Sequence, residues 1–73
     1  MSDDQLYLYE GSAREFLREQ SSEEEITLEH GLRHAYAKAT QNRQGPFRLR
    51  VVDIIIEGDN PPSDYKVRVV DHP

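Results

Sequence analysis

Residues 25–56, EITLEHGLRHAYAKATQNRQGPFRLRVVDIII, contain the two elements from which the fold can be inferred. In the first half, apolar residues recur every three or four positions, which is typical of one face of an α-helix. These residues are Leu28, Leu32, Ala35, Tyr36 and Ala39. A loop with Gly45 and Pro46 follows, and the segment from Phe47 to Glu57 is predicted to be one long strand. The stretch therefore predicts a helix that packs on a sheet.

The long strand is unusual because its second half is apolar on both faces. Strict alternation places Phe47, Leu49, Val51 and Ile55 on one face and Val52, Ile54 and Ile56 on the other. A helix on one side of the sheet would leave the second set in water. Either a β-bulge near Val51 shifts the register, or the second set forms an interface with another subunit.

Two further strands flank this stretch. The segment from Leu6 to Tyr9 alternates leucine with tyrosine, which favours a short first strand, and the turn-forming EGS that follows predicts its end. The last strand is YKVRVV, at 65–70, and it is expected to pair with the long strand as an antiparallel hairpin. Its inner face is predicted to hold Tyr65, Val67 and Val69, and its outer face Lys66 and Arg68.

The chain between the first strand and the main helix leaves two alternatives open. Ser12 and Glu15 have the spacing of a capping box, which predicts one or two helical turns over 12–20 or else an irregular insertion. The main helix begins between Ser22 and Thr27, since either residue can cap it. The whole chain, 1–73, is thus predicted to be a single α+β domain. Its expected order is β-α-β-β, with a three-stranded antiparallel sheet packed on one main helix.

Composition restricts the classes of partner and of chemistry. With 73 residues the core is small, and without cysteine no disulfide can stabilise it. A net charge of −5 argues against nucleic acid as a partner. No run of apolar residues is long enough for a membrane span and no signal peptide is recognisable, so we expect no membrane partner and a cytoplasmic location.

The sequence contains no recognisable catalytic constellation, and we expect the protein not to be an enzyme. No serine lies in the context of an activated nucleophile, and the glycines are not spaced as in a phosphate-binding loop. His30 and His34 are one helical turn apart, so they could bind a divalent metal from one helix face. The alternative is that both histidines belong to a solvated polar flank beside the apolar stripe.

The segment from Thr27 to Val70 resembles the dodecins. TLEHGLRHAYAKAT is similar to the family's Ser/Thr-capped helix, and DYKVRVV is similar to its last strand, with a tyrosine and a basic residue before valine. LYLYEGS resembles the family's first strand and the turn after it, although about a dozen residues are then inserted before Thr27. Dodecins are small β-α-β-β subunits, twelve of which assemble into a hollow shell.

The resemblance implies a homo-oligomer, up to a dodecamer, that binds a small ligand. Family members commonly bind flavin, which stacks on a tryptophan of the second strand. This chain has no tryptophan, and Phe47 is the aromatic residue nearest to that position. Phe47 and Asp53, an acid among valines and isoleucines, are therefore the expected ligand contacts. A different class of function is also open: a protein-interaction module that binds its partner through Val52, Ile54 and Ile56.

Overall fold

The computed structural model of the chain describes residues 8–44 and 47–71. It is an α+β domain in which three antiparallel strands form an open sheet with two helices packed on it, so the predicted fold class is confirmed. The helix predicted as one alternative for 12–20 is present. In chain order the elements are β1 (Leu8–Ser12), α1 (Ala13–Glu19), α2 (Leu28–Ala39), β2 (Leu49–Glu57) and β3 (Asp64–Asp71).

The sheet has the strand order β1-β3-β2, so the last strand of the chain lies in the centre. Val67 of β3 pairs with Gly11 on one side and with Ile54 on the other. The hairpin predicted between β2 and β3 is therefore confirmed. Both β1 and β2 are edge strands of this sheet.

β1 is longer at its carboxyl end than the sequence indicates. The segment from Glu10 to Ser12, where a turn is predicted, continues the strand and pairs with β3. The hydrogen bonds of the ladder outweigh the low strand preference of glycine and serine, because strand propensity depends strongly on context. The predicted first strand residues Leu6 and Tyr7 lie outside the described residues.

The main helix begins after Thr27, which decides between the two candidate caps. The backbone N–H of Thr27 donates to Nδ1 of His30 at 3.3 Å, and the N–H of His30 donates to the Thr27 carbonyl at 3.1 Å. These bonds satisfy donors that a helix start otherwise leaves unpaired. The first turn of α2 thus depends on a histidine where a capping box normally has Glu or Gln.

The core lies between α2 and the β1–β3 half of the sheet. Its centre consists of Ala35 and Ala39 from α2 and Val67 and Val69 from β3, all buried, as the predicted inner face of β3 requires. Small residues allow this close approach: a Cβ at Gly11 would lie 2.2 Å from the backbone nitrogen of Ala35. The helix therefore rests almost directly on β1.

β2 contains a bulge at Val52. Val51 pairs with Val69, whereas Asp53 pairs with Arg68, so Val52 is an extra residue in the ladder. Directly paired residues share a face of the sheet, and consequently Val51, Ile54 and Ile56 all lie on the same face as Val67 and Val69. The assignment of Val51 and Ile54 to opposite faces was wrong, because the bulge interrupts the alternation of side chains. The bulge itself is one of the two explanations that the sequence analysis left open.

The bulge does not bury these residues. α2 packs on β1 and β3, and β2 extends beyond it on the far side of β3. Val51, Ile54 and Ile56 are 44%, 42% and 58% exposed, and Val52 is 50% exposed. We call the first three residues the β2 shelf. It is an apolar surface on the helix side of the sheet that no described part of the chain covers.

Candidate functional site: a groove beside the β2 shelf

A groove of about 830 Å³ runs between α2 and the first half of β2. It exists because the helix covers the central strand but stops short of the edge strand. Its apolar lining consists of Leu32, Tyr36, Phe47, Leu49, Val51 and Val69. Three arginines, Arg33, Arg48 and Arg50, also border the groove, although Arg50 pairs with Val70 and therefore belongs to the outer face of the sheet. Val51 belongs both to the lining of the groove and to the β2 shelf, so the groove opens directly onto the shelf.

The two residues expected to contact a ligand are separated. Phe47 is partly buried and lines the groove together with Tyr36. Asp53 pairs with Arg68, on the face of the sheet that points away from α2. The bulge at Val52 is the cause, because without it Asp53 would lie on the same face as Val51. Phe47 and Asp53 of one chain therefore cannot touch the same small ligand.

Asp53 belongs to a charged outer face. Arg68 donates from Nε to Oε2 of Glu10 at 2.8 Å, and the Nζ of Lys66 lies 3.1 Å from Oε1 of Glu57. The hydrogen bond to Glu10 raises the pKa of Arg68, to which Asp53 adds a smaller attraction. The hydrogen bond to Glu57 likewise raises the pKa of Lys66. Alternating opposite charges across the strands are typical of a solvated sheet face.

His34 is a buried link between the two helices. It is 4% exposed, and its ring nitrogens lie 3.2 Å from Oε2 of Glu15 and 3.4 Å from Oε2 of Glu19. Both carboxylates come from α1. The idea that His34 is solvated was wrong, because α1 covers this flank of α2. The insertion before the main helix is thus what buries the histidine.

His30 is buried as well, at 8% exposure, and has a different set of neighbours. Its ring stacks on Phe16 with the centroids 5.4 Å apart, and its Nε2 lies 3.7 Å from Oε2 of Glu24. Its other nitrogen caps α2. Within residues 8–44 and 47–71, no group of three or more His, Cys, Asp or Glu side chains is arranged to hold a metal ion. Metal binding by His30 and His34 stays a prediction, and the two rings have different neighbours in the structure.

The buried carboxylate of Asp64 is a feature that the sequence analysis missed. It accepts hydrogen bonds from Ser12 Oγ at 2.6 Å, from the Arg14 N–H at 2.9 Å and from its neighbour Tyr65 N–H at 2.8 Å. Burial alone would raise the pKa of Asp64, but these three hydrogen bonds outweigh burial and lower it. An isolated aspartate after a turn gives no sequence signal for such a role. Its partners show that it joins the β1–α1 corner to β3.

The chain matches no family model, no curated protein and no solved structure in comparisons with each. Along the described ranges, neither helix has the length and apolar character needed to cross a membrane.

Proposed function

We propose that the protein is a non-catalytic, dodecin-like homo-oligomer that binds a small ligand in the groove between α2 and β2. One observation carries the proposal: the apolar lining of the groove continues onto the β2 shelf, whose isoleucines are about half exposed in the single chain. Exposed apolar surface of this extent is typical of a binding surface. Self-association would cover the shelf and leave the groove beside the interface.

The groove suits an aromatic or apolar ligand better than a small polar one. Phe47 and Tyr36 offer two aromatic side chains for contact, and Leu32, Leu49 and Val69 provide apolar contacts. Flavin is the ligand that the resemblance suggests. In this proposal Phe47 takes the place of the missing tryptophan, and Asp53 is left out because it lies on the other face.

The test is a measurement of molar mass by light scattering during size exclusion, with the absorbance spectrum recorded on the same peak. The untagged chain has a mass of 8.5 kDa, so an assembly is easily distinguished from a monomer. We expect a single large species, up to a dodecamer, with a co-eluting flavin absorbance band. A colourless assembly would retain self-association and contradict flavin as the resident ligand. A colourless monomer would contradict the proposal.

The second candidate is a protein-interaction module, which the outer edge of β2 favours. β2 is the last strand of the sheet, so its outer backbone groups can accept an additional strand from another protein. A monomer in the light-scattering experiment is the outcome expected for such a module.

A further inference from the structure

We propose that β2 pairs with β2 of a second copy, antiparallel about a two-fold axis through Ile54, and so joins two sheets into one. This inference rests on the proposed self-association and specifies its contact. Three features of β2 carry it: its free edge, its bulge and the distribution of its charges.

The free edge provides the hydrogen-bonding groups. β2 is nine residues long, and within residues 8–44 and 47–71 it pairs with β3 alone, so a row of backbone donors and acceptors faces away from the described sheet. Edge strands of soluble proteins are commonly protected by inward-pointing charges, proline, a short length or a β-bulge, and of these β2 has the bulge. β2 has no proline, and three consecutive isoleucines occupy its second half. Such an edge is suited to pairing with another strand.

The bulge fixes which register a symmetric pair can adopt. Antiparallel partners must lie on the same face of the sheet, and Val52 is skipped in both copies because it is extra in each. With Ile54 opposite the partner's Ile54, Val51 then lies opposite the partner's Ile56. Both pairs belong to the β2 shelf. Two shelves become one apolar surface, and the partner's Ile56 is placed beside the groove through its contact with Val51.

The same register matches charges on the outer face. Counting outward from Ile54, Arg50 lies opposite the partner's Glu57, and the two-fold axis repeats this pair. Arg50 is exposed and has no acidic partner among residues 8–44 and 47–71, where Glu57 already lies beside Lys66. Opposite charges directly across a ladder stabilise pairing, whereas like charges oppose it. The same register sets Asp53 opposite the partner's Ile55, so the self-complementarity of β2 rests on its shelf residues and on the Arg50–Glu57 pair.

Disulfide trapping tests this register, since the chain has no cysteine of its own. Directly opposed Cα atoms in an antiparallel pair are about 4.5–5.5 Å apart, which is within the range of about 4.4–6.8 Å for a disulfide. We expect Ile54→Cys to form a covalent dimer under mild oxidation that a reductant reverses. Each of Val51→Cys and Ile56→Cys alone should stay monomeric on a non-reducing gel. Their mixture should form the mixed dimer.

The single variants are matched controls because the two-fold axis keeps identical residues apart. From Val51 to the partner's Val51 the separation along the strand is roughly 13 Å, at ~3.3 Å per residue, which is too far for a disulfide. Equal cross-linking of all three single variants would overturn the register. If the unmodified protein is an oligomer and Ile54→Cys stays reduced, the pairing fails while the proposed function stands. If the protein is a monomer, both fail.

Charge exchange gives a second readout that does not require oxidation. Arg50→Glu and Glu57→Arg should each raise the dissociation constant of the dimer about tenfold, since each places like charges opposite one another twice. The double variant should return the constant to within about threefold of the original. Failure of the double variant to recover affinity, with its thermal unfolding unchanged, would contradict the pairing of Arg50 with the partner's Glu57.

Discussion

At the scale of single residues, Gly11 and Asp64 fix the position of β1. Gly11 allows α2 to approach the strand closely, and Asp64 ties the end of the strand to β3. Gly11 has no Cβ, and α2 occupies the space where one would be, with the Cα of Ala35 2.7 Å from that position. The carboxylate of Asp64 accepts hydrogen bonds from β1 and from α1. The bond from Ser12 Oγ is 2.6 Å long. Neither residue belongs to the groove, yet both hold β1 against its neighbours.

Gly11→Ala should therefore destabilise the protein by about 1–3 kcal/mol, because backbone rather than a flexible side chain has to move. Gly31→Ala is the control. There the nearest atom to the new Cβ would be the carbonyl oxygen of Tyr65 at 3.0 Å, and alanine gains about 1 kcal/mol of helix propensity. Urea denaturation measures both. A Gly11→Ala variant as stable as the original would contradict the close approach of α2 to β1.

Asp64→Asn should destabilise the protein at neutral pH by about 1–3 kcal/mol, since it weakens three hydrogen bonds to a buried carboxylate. The lowered pKa of Asp64 means that the native state holds the proton less tightly than the unfolded chain does. Its stabilisation is present above the ordinary carboxyl pKa of about 3.9 and is lost as the pH falls through the lowered value.

Thermal unfolding at a series of pH values checks this expectation. The difference between the original protein and Asp64→Asn should shrink as the solution is acidified below about pH 4. Asp59→Asn, at an exposed position between β2 and β3, should behave like the original throughout. A difference that stays constant down to the acid limit would show that the charge of Asp64 is not responsible.

At the scale of elements, α1 is the addition that a bare β-α-β-β subunit does not need. It buries Ala13 and Leu17 and covers the histidine flank of α2 through Glu15 and Glu19. The carboxylates of Glu15 and Glu19 are more than half exposed, and ion pairs with exposed partners contribute little. The apolar contacts of Leu17 therefore account for most of its attachment.

Leu17→Ala should lower the free energy of unfolding by about 2–5 kcal/mol, because it removes a side chain that is only 6% exposed. Arg18→Ala, an exposed change on the same helix, should stay within about 0.5 kcal/mol of the original. Denaturant unfolding compares the two. Equal stabilities for Leu17→Ala and Arg18→Ala would mean that α1 is not packed on the core.

The elements also show where sequence reasoning succeeds. Alternation and helical periodicity were sufficient for the fold class and the inner face of β3, where burial follows the regular period. On α2 they identified the buried Ala35 and Ala39, whereas Tyr36 of the predicted face is 51% exposed. The faces of β2 were not predictable, since a bulge shifts the period by one residue and Val52 resembles its neighbours chemically. The groove was only partly predictable: Phe47 was identified, whereas Leu32 and Tyr36 were predicted only as part of the helix face that packs on the sheet.

At the scale of the whole molecule, the protein is long and thin, with principal extents of 45 × 23 × 13 Å. Its buried core consists mostly of alanine and valine, and the larger isoleucines lie outside it on β2. A small domain usually buries its largest apolar side chains to offset chain entropy. Here the isoleucines of β2 lie at the surface, where no described part of the chain covers them and burial against a second molecule would be favourable.

If β2 pairs with itself as proposed, Ile54→Asp should dissociate the oligomer, because two carboxylates would meet at the proposed two-fold axis in an apolar surrounding. Leu8→Asp is the matched control, since Leu8 is 57% exposed on the opposite edge strand. Light scattering should give a reduced mass for Ile54→Asp only. If both variants lose the assembly, or if neither does, self-association does not depend specifically on the edge formed by β2.

The bulge at Val52 has a consequence for how this strand can change in length. An unbulged strand without Val52 would keep Val51, Ile54 and Ile56 on the helix side, so loss of that one codon preserves the polarity of both faces. A single-codon loss at Asp53 that left the bulge in place would instead move Ile54 and Ile56 to the outer face and Ile55 and Glu57 to the helix side, because side chains alternate with a period of two. Val52 is thus a position at which β2 can lose a residue without a change in which side chains face the groove. A shortened strand of this kind would keep its acidic residues on the outer face.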